Sequence, residues 1–347
     1  MRRWSDVGTV VVCAGLLLTG CSKKGPPSTD SKQAASARPV ASASASSARA
    51  PAKPAGFAKG ESLTHMPAAC KRGRLYIDAA GFATLATGAA KGLEDHLAAA
   101  LGPDDSATAK KVLKVLRDGG FDPATSIQEL AMCINESEDD MIFAVGMDLS
   151  KVKGDPLDLI LRAAEAAGEK DKVQKKKDGK LSYLLPKGKD DEGAIAVIGS
   201  SLVVGKDLAA LKSAQQGGGV AGFKDAAKTM LSVDITVEQG HIVGAITDAG
   251  KDLKLSGSMK LTGKPGEELK KNAEATIKQM KAMVDEMAGE IAKAPPFKDL
   301  AQPLKALELT ADGDTLKAQL VVSKQTLRGA LESTSQLKPE ELKQLMK

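Results

Sequence analysis

Two neighbouring stretches decide the fold of this chain: VQKKKDGKLSYLL at residues 173–185 and AIAVIGSSLVVG at residues 194–205. In each stretch, two runs suited to β-strands flank two turn residues, Asp178-Gly179 in the first and Gly199-Ser200 in the second. Such dipeptides between extended runs are the usual signal of a β-hairpin. Two hairpins in succession predict an antiparallel meander in the middle of the chain.

Strand-like and helical patterns continue on both sides of this meander. Further strand-like runs lie at 74–78, 141–149, 231–237, 241–247, 253–261, 304–311 and 316–323. Helical periodicity occurs at 93–101, 112–116, 157–167, 208–215, 269–291 and 327–331. Because most of the connections are short, the strands should pair antiparallel rather than form a doubly wound sheet. We therefore predict an α+β fold over residues 61–347, with an antiparallel sheet or sheets packed by helices.

A faint internal echo indicates how this folded domain is organised. The segment FDPATSIQEL at 121–130 and the segment FKDLAQPLKAL at 297–307 each follow a long helical stretch and precede strands and a helix. We expect two related α+β halves, at about 61–170 and 220–347, around the central β-meander.

The longest predicted helix carries one continuous apolar stripe. Its members recur at steps of three or four residues: Leu269, Ala273, Ile277, Met280, Val284, Met287 and Ile291. The direct interpretation is that this stripe packs on the sheet. The alternative is an apolar groove that receives an acyl chain or a partner's apolar segment, because thioethers adapt to varied partners. We assign that groove to Ile277, Met280, Val284 and Met287.

The N-terminus has the three parts of an export signal. Arg2 and Arg3 precede an apolar run at 7–18, which ends in Leu18-Thr19-Gly20-Cys21. The apolar run is 12 residues long, whereas a membrane-spanning helix needs about 20.

Leu18-Thr19-Gly20-Cys21 resembles the lipobox of bacterial lipoproteins. The resemblance implies that residues 1–20 are a signal peptide and that Cys21 carries a diacylglyceryl group and an N-acyl chain. It also implies export and a lipid anchor in the cell envelope, so that the membrane is one partner. Ser22 follows the cysteine where Asp would favour the inner membrane, and it therefore favours the outer membrane.

Residues 21–60 are expected to be the lipidated cysteine and a disordered tether. The segment is rich in Ala, Ser, Pro and Lys and has too few apolar side chains to offset the entropy of ordering. Its coil span is on the order of 35 Å. The first 60 residues carry nine basic and two acidic side chains, so residues 61–347 are net −2 although the whole chain is +5. The basic balance therefore belongs to the tether and does not indicate a nucleic-acid-binding domain.

Cysteine use fits the exported location. Cys13 leaves with the signal peptide and Cys21 is acylated, so that Cys70 and Cys133 remain. An oxidising compartment favours a disulfide between these two, and the alternative is a pair of buried free thiols.

The motifs of common catalytic and metal sites do not occur in this sequence. The stretch at 199–206 has the wrong glycine spacing for a phosphate-binding loop, and His65, His96 and His241 lack the spacing of zinc ligands. We therefore expect no catalytic residues, no metal and no cofactor beyond the lipid at Cys21.

Two functions from different classes remain. The first is a non-enzymatic binding or structural module that binds another envelope protein or a surface polymer. The alternative is a carrier of lipid or another apolar ligand between the long helix and a curved sheet. The stretch at 194–205, with the helical run at 208–214, is similar to a segment of some exported bacterial proteins of unknown function.

Overall fold

The computed structural model describes most of the chain beyond residue 56. The described ranges are 57–67, 70–85, 103–135, 141–188, 193–218, 228–237, 240–262, 267–294 and 297–335. The strands are β1 (Gly73–Ile77), β2 (Ile127–Ile134), β3 (Met141–Met147), β4 (Val173–Asp178), β5 (Leu181–Pro186), β6 (Ala194–Ile198), β7 (Ser201–Gly205), β8 (Thr229–Val237), β9 (Gly240–Ala249), β10 (Asp252–Leu261), β11 (Glu308–Asp312) and β12 (Thr315–Ser323).

These strands form one sheet of twelve, in the order β11-β12-β10-β9-β8-β1-β2-β3-β7-β6-β5-β4. Every neighbouring pair is antiparallel. The predicted α+β class with an antiparallel sheet is therefore confirmed. The meander lies at one side of the sheet, and β1 joins the first strands of the chain to the later group that begins with β8.

The helices lie on the faces of this sheet and at its end. They are α1 (Glu61–Thr64), α2 (Ala79–Leu85), α3 (Pro103–Asp118), α4 (Pro123–Ser126), α5 (Pro156–Ala166), α6 (Leu208–Gln216), α7 (Glu267–Lys293), α8 (Ala301–Lys305) and α9 (Lys324–Ser335). Short 3₁₀ turns occur at Lys170–Lys172 and Lys298–Leu300. α5 begins as its sequence predicts, because the Asp155 side chain accepts a hydrogen bond from the Leu157 amide and Pro156 occupies the first turn.

The part of the sheet from β1 to β4 is covered on both faces. On one face, α1 and α6 pack over a core that includes Tyr76, Cys133, Ala144 and Val203. On the other, α3 and α5 pack over a second core. Side chains of one strand alternate between these two cores, as expected when a strand is buried on both faces.

Among the described residues, helices pack on one face of the remaining strands, β8 to β12. There, Leu85 of α2 and Leu327 and Leu331 of α9 pack against Leu253 and neighbouring side chains. The opposite face, which we call the open face, is lined by exposed residues of β9, β10 and β12: Val243, Lys254, Ser256, Gln319 and Val321. Val243 and Val321 are 39% and 56% exposed.

Both hairpins of the opening prediction are confirmed, since β4 pairs with β5 and β6 with β7 around the expected turns. The strand expected at 304–311 begins only at Glu308, because Ala301–Lys305 is helical. β2 was not predicted. The helical periodicity at 93–101 lies outside the described residues.

Candidate functional site

The first ten described residues, 57–66, lie across the centre of the sheet, and we call them the strap. The strap contains α1, which packs on β2 and β3. Leu63 and Met66 are buried, at 7% and 1% exposure, and join the core around Tyr76. The tether predicted from the sequence therefore leads into a docked segment.

Glu129 of β2 holds the strap in place. Its side chain is fully buried, and its two carboxylate oxygens accept hydrogen bonds from the backbone amides of Gly60 and Ser62, each at 2.7 Å. The Tyr76 hydroxyl donates a third hydrogen bond, at 2.9 Å. A buried carboxylate is tolerated when its oxygens are hydrogen-bonded in this way.

Tyr76 is a fixed donor in this arrangement. Burial raises the pKa of the Tyr76 phenol, and the charge of Glu129 and the hydrogen bond to it raise the pKa further. The hydroxyl therefore keeps its proton over the whole physiological pH range.

Two further contacts tie the strap to the sheet. The Ser200 amide donates to the Glu61 carboxylate at 2.7 Å, at the turn between β6 and β7. Gly199 permits this approach, because a Cβ there would lie 2.6 Å from the Glu61 oxygen and its φ is +60°. On the other side, the Lys59 ammonium pairs with Asp78 at 2.6 Å.

Three buried polar atoms at this contact have no hydrogen-bond partner in the described part of the chain. They are Ser62 Oγ and His65 Nε2 of the strap and Ser201 Oγ of β7. Ser62 and Ser201 are both 0% exposed. The contact therefore combines strong charge-assisted hydrogen bonds with unpaired polar groups.

Cys70 and Cys133 form a disulfide, with their Cα atoms 5.4 Å apart. The bond joins the chain just after the strap to β2, the strand that also carries Glu129. Glu129 and Cys133 lie on the same face of β2 as Ala131, because the three residues are spaced by two. β2 is thus the attachment point of the N-terminal segment.

The residues assigned to an apolar groove lie on α7, which packs against α8, β11 and β12. Ile277, Met280 and Val284 are half-buried, whereas Met287 is 49% exposed. Ala288 is fully buried and occupies the position that the stripe assigned to Met287. Met283, one turn before Met287, is 55% exposed, so the two methionines form an exposed apolar pair.

A second polar group lies beside the open face, across β1, β8 and β9. Arg74 pairs with Asp234 at 2.7 Å, and His241 Nε2 lies 2.6 Å from the other Asp234 oxygen. Burial acts to raise the pKa of Asp234, but the hydrogen bonds from His241 and Arg74 and the Arg74 charge outweigh it, so that the pKa lies below its ordinary value. This arrangement is a satisfied ion pair on a sheet surface.

Cys21, the predicted lipidation residue, and His96 lie outside the described residues. Within the described ranges, no three His, Cys, Asp or Glu side chains converge as metal ligands. None of the helices in these ranges combines the length and apolar composition that a bilayer crossing needs.

Sequence reasoning missed Glu129 and the strap. The signal for Glu129 was present, because in IQELAMCI it alternates with Ala131 and Cys133, which places an acid on a covered face. The strap gave no comparable signal, since α1 is a single turn and follows directly on the tether.

No protein-family model and no curated protein matches this chain. Two crystal structures of a protein named TP0453 resemble it distantly. Crystal form III has a TM-score of 0.41 and 9% identity, and the match covers 79% of this chain and 98% of TP0453. Crystal form I has a TM-score of 0.40 and 11% identity, with coverage of 79% and 97%.

Proposed function

We propose that this chain is an exported lipoprotein, anchored in the cell envelope by lipid on Cys21, whose folded domain is a non-enzymatic binding module for another envelope protein. The outer membrane is the proposed location. The observation that carries the proposal is the N-terminal attachment: a lipobox, a tether and then a strap secured to β2 by Glu129 and by the Cys70–Cys133 bond.

The disulfide supports export, because such bonds form and persist in oxidising compartments. The attachment supports a tethered module, because the strap is hydrogen-bonded to Glu129 of β2, which is in turn hydrogen-bonded to Tyr76 of β1. A force on the tether would therefore act on two central strands rather than on a peripheral loop. The open face supports binding, because it presents exposed side chains of three adjacent strands, two of them the apolar Val243 and Val321.

Lipidation is tested by the mass of the mature chain, isolated from membranes of a bacterial host. We expect the chain to start at residue 21 with the added mass of a diacylglyceryl group and an acyl chain. Cys21→Ser should remove both additions and release the protein from the membrane fraction. Cys13→Ser, the matched control, should leave lipidation and membrane retention unchanged. An unmodified Cys21 in the membrane-bound wild type would contradict the proposal.

Binding is tested by a photo-crosslinking residue placed on the folded domain in intact cells. At position 321 on the open face we expect one discrete adduct with another envelope protein. At position 209, an exposed position on α6, we expect none. Equal crosslinking at both positions, or none at position 321, would show that the open face does not carry the interaction.

The carrier function is the second candidate, and the exposed Met283 and Met287 favour it. On α7, the small side chains of Ala273 and Ala288 are fully buried, whereas the larger Met283 and Met287 are 55% and 49% exposed. Native mass spectrometry of exported protein with Cys21→Ser should show a lipid-sized adduct. Val284→Asp should abolish that adduct and Lys281→Asp should leave it. A bare wild-type protein after incubation with envelope lipids would exclude the carrier.

A further inference from the structure

We propose that the strap is a pH-operated latch: it docks on the sheet while His65 is neutral and leaves the sheet, as far as the Cys70–Cys133 bond allows, when His65 gains a proton. The latch is a property of the fold and does not depend on the function proposed above.

The contact between strap and sheet contains three buried polar side-chain atoms that have no hydrogen-bond partner in the described part of the chain. They belong to Ser62, His65 and Ser201. A fourth buried oxygen, on Glu169, is paired with the Lys172 ammonium at 2.7 Å. Each buried polar atom without a partner opposes docking by the free energy of its lost hydration. The net free energy of docking is therefore smaller than that of an all-apolar contact of the same size.

His65 is positioned so that a second proton has no acceptor. Its ring already has a hydrogen bond to the Ala214 backbone of α6, while Nε2 is buried without a partner in the described residues. Nε2 points towards Gly199, where a Cβ would lie 3.8 Å away. Protonation at Nε2 would place a charged N–H in this contact, which is costly for a buried group.

Within the described part of the chain, few charged groups surround the ring. The elements that meet the strap contribute Glu61 on α1, Glu129 on β2, the Lys59–Asp78 pair and the Lys212–Asp178 pair beside α6. Of these, Glu61 is the group whose charge acts on His65. The Glu61 carboxylate already accepts a hydrogen bond from the Ser200 amide. If Glu61 turned towards a protonated His65, it would weaken that hydrogen bond, which helps to dock the strap.

The direction of the pH response follows from this environment. Burial lowers the pKa of His65, and it outweighs the Ala214 hydrogen bond and the Glu61 charge, which raise the pKa. A released histidine has a pKa of about 6.5. Docking is therefore fully favoured above about pH 6.5 and is lost as the pH falls towards the lower pKa of the docked state.

The disulfide limits what is released. Cys70 lies five residues after His65 and stays bonded to Cys133 of β2. Release therefore frees residues 57–66, with their contacts to Glu129 and the β6–β7 turn, and leaves β1 and β2 paired. The result is a local opening at the point where the tether enters the domain.

Hydrogen–deuterium exchange of the full-length chain tests the latch at pH 7.5 and pH 5.0, after correction for intrinsic exchange rates. In the wild type we expect the protection of peptides covering 57–66 to fall at least tenfold at pH 5.0, while β3 keeps its protection. His65→Gln, which cannot be protonated, should keep strap protection within threefold between the two pH values. His241→Gln, the same change at an exposed histidine, should behave like the wild type.

Loss of strap protection to the same extent in His65→Gln and the wild type would assign the effect to carboxylates and overturn the proposal, as would full protection of the wild type at pH 5.0. An NMR titration of the wild type gives an independent reading: a His65 pKa at or above 6.5 in the folded chain also overturns it. Gly199→Ala drives a methyl group against Glu61 and should release the strap at both pH values.

Discussion

At the residue scale, the structure depends on a few polar side chains that take partners from distant parts of the sequence. Glu129 is the clearest, because its partners Gly60 and Ser62 lie 69 and 67 positions away and Tyr76 lies 53 positions away. The alternation of β2 indicates that Glu129 faces a core. It gives no indication of the donors, since these depend on how the strap crosses the sheet.

Glu129→Gln should reduce the free energy of unfolding by about 3 kcal/mol. The amide retains one acceptor oxygen and turns an NH₂ group towards buried donors, which leaves hydrogen bonds unmade. Urea denaturation followed by circular dichroism measures the change, because Trp4, the sole tryptophan, lies in the predicted signal peptide and cannot report on the folded domain by fluorescence. Glu308→Gln, on the exposed strand β11, should stay within about 0.5 kcal/mol. A similarly small change in Glu129→Gln would show that the strap is not held by this carboxylate.

Asp234→Asn should lower stability by about 1 kcal/mol at pH 7, a figure reduced by solvent screening of a partly exposed pair. The pKa of Asp234 is depressed in the folded chain, so its stabilisation is present above the unfolded pKa of about 4 and is lost as the pH falls below that value. The difference between wild type and Asp234→Asn should therefore shrink below pH 4. Asp285→Asn, at an exposed position on α7, is the matched control substitution, and a constant difference for Asp234→Asn down to pH 2 would refute the assignment.

At the scale of elements, local signals and their limits are both visible. Asp178-Gly179 and Gly199-Ser200 specify their turns through backbone conformation, so both hairpins could be predicted. β2 was not predicted, because no such turn dipeptide follows it to mark its end. On α7, the apolar spacing predicted the helix but could not distinguish Met287 from its neighbour Ala288 as the buried side chain.

Gly120→Ala should destabilise the end of α3 by about 3 kcal/mol, combining left-handed backbone strain with a steric clash. Gly120 has a φ of +86°, and a Cβ there would lie 2.0 Å from the Lys151 carbonyl oxygen. Gly154→Ala is the matched control, because Gly154 has a φ of +85° and open space around it. It should cost about 1 kcal/mol, for strain alone. Urea midpoints of the two variants measure the difference in destabilisation. Equal destabilisation would mean that the backbone at Lys151 moves away from the new methyl group without loss of stability.

At the scale of the whole molecule, the order of strands in the sheet was not available from the sequence. The echo between 121–130 and 297–307 predicted halves on either side of the meander, whereas the sheet places β1 to β3 in its middle and the meander at one side. Pairing between β1 and β8 depends on side-chain packing over long sequence separations, which local patterns do not encode. The Cys70–Cys133 bond is compatible with the pairing that the expected oxidising compartment favoured, which no local pattern indicates.

Reduction of the disulfide should lower the free energy of unfolding by up to about 4 kcal/mol, since the bond closes a long loop in the unfolded chain. The sequence separation of the two cysteines is 63. Urea midpoints with and without dithiothreitol measure the loss. A variant with both Cys70→Ser and Cys133→Ser should have the lower stability and show no response to the reductant. A wild type that is equally insensitive would exclude a structural role for the bond.

The position of β1 between β2 and β8 has a consequence for how the protein is made. Gly73 pairs with Ile134 on one side and with Ile235 on the other, so the second partner is synthesised long after the first. A chain that is synthesised from its N-terminus therefore carries β1 with one unpaired edge until β8 emerges, and unpaired strand edges invite association with other chains. Completion of the sheet is a late event in biogenesis, and the growing chain depends on protection of that edge in the meantime.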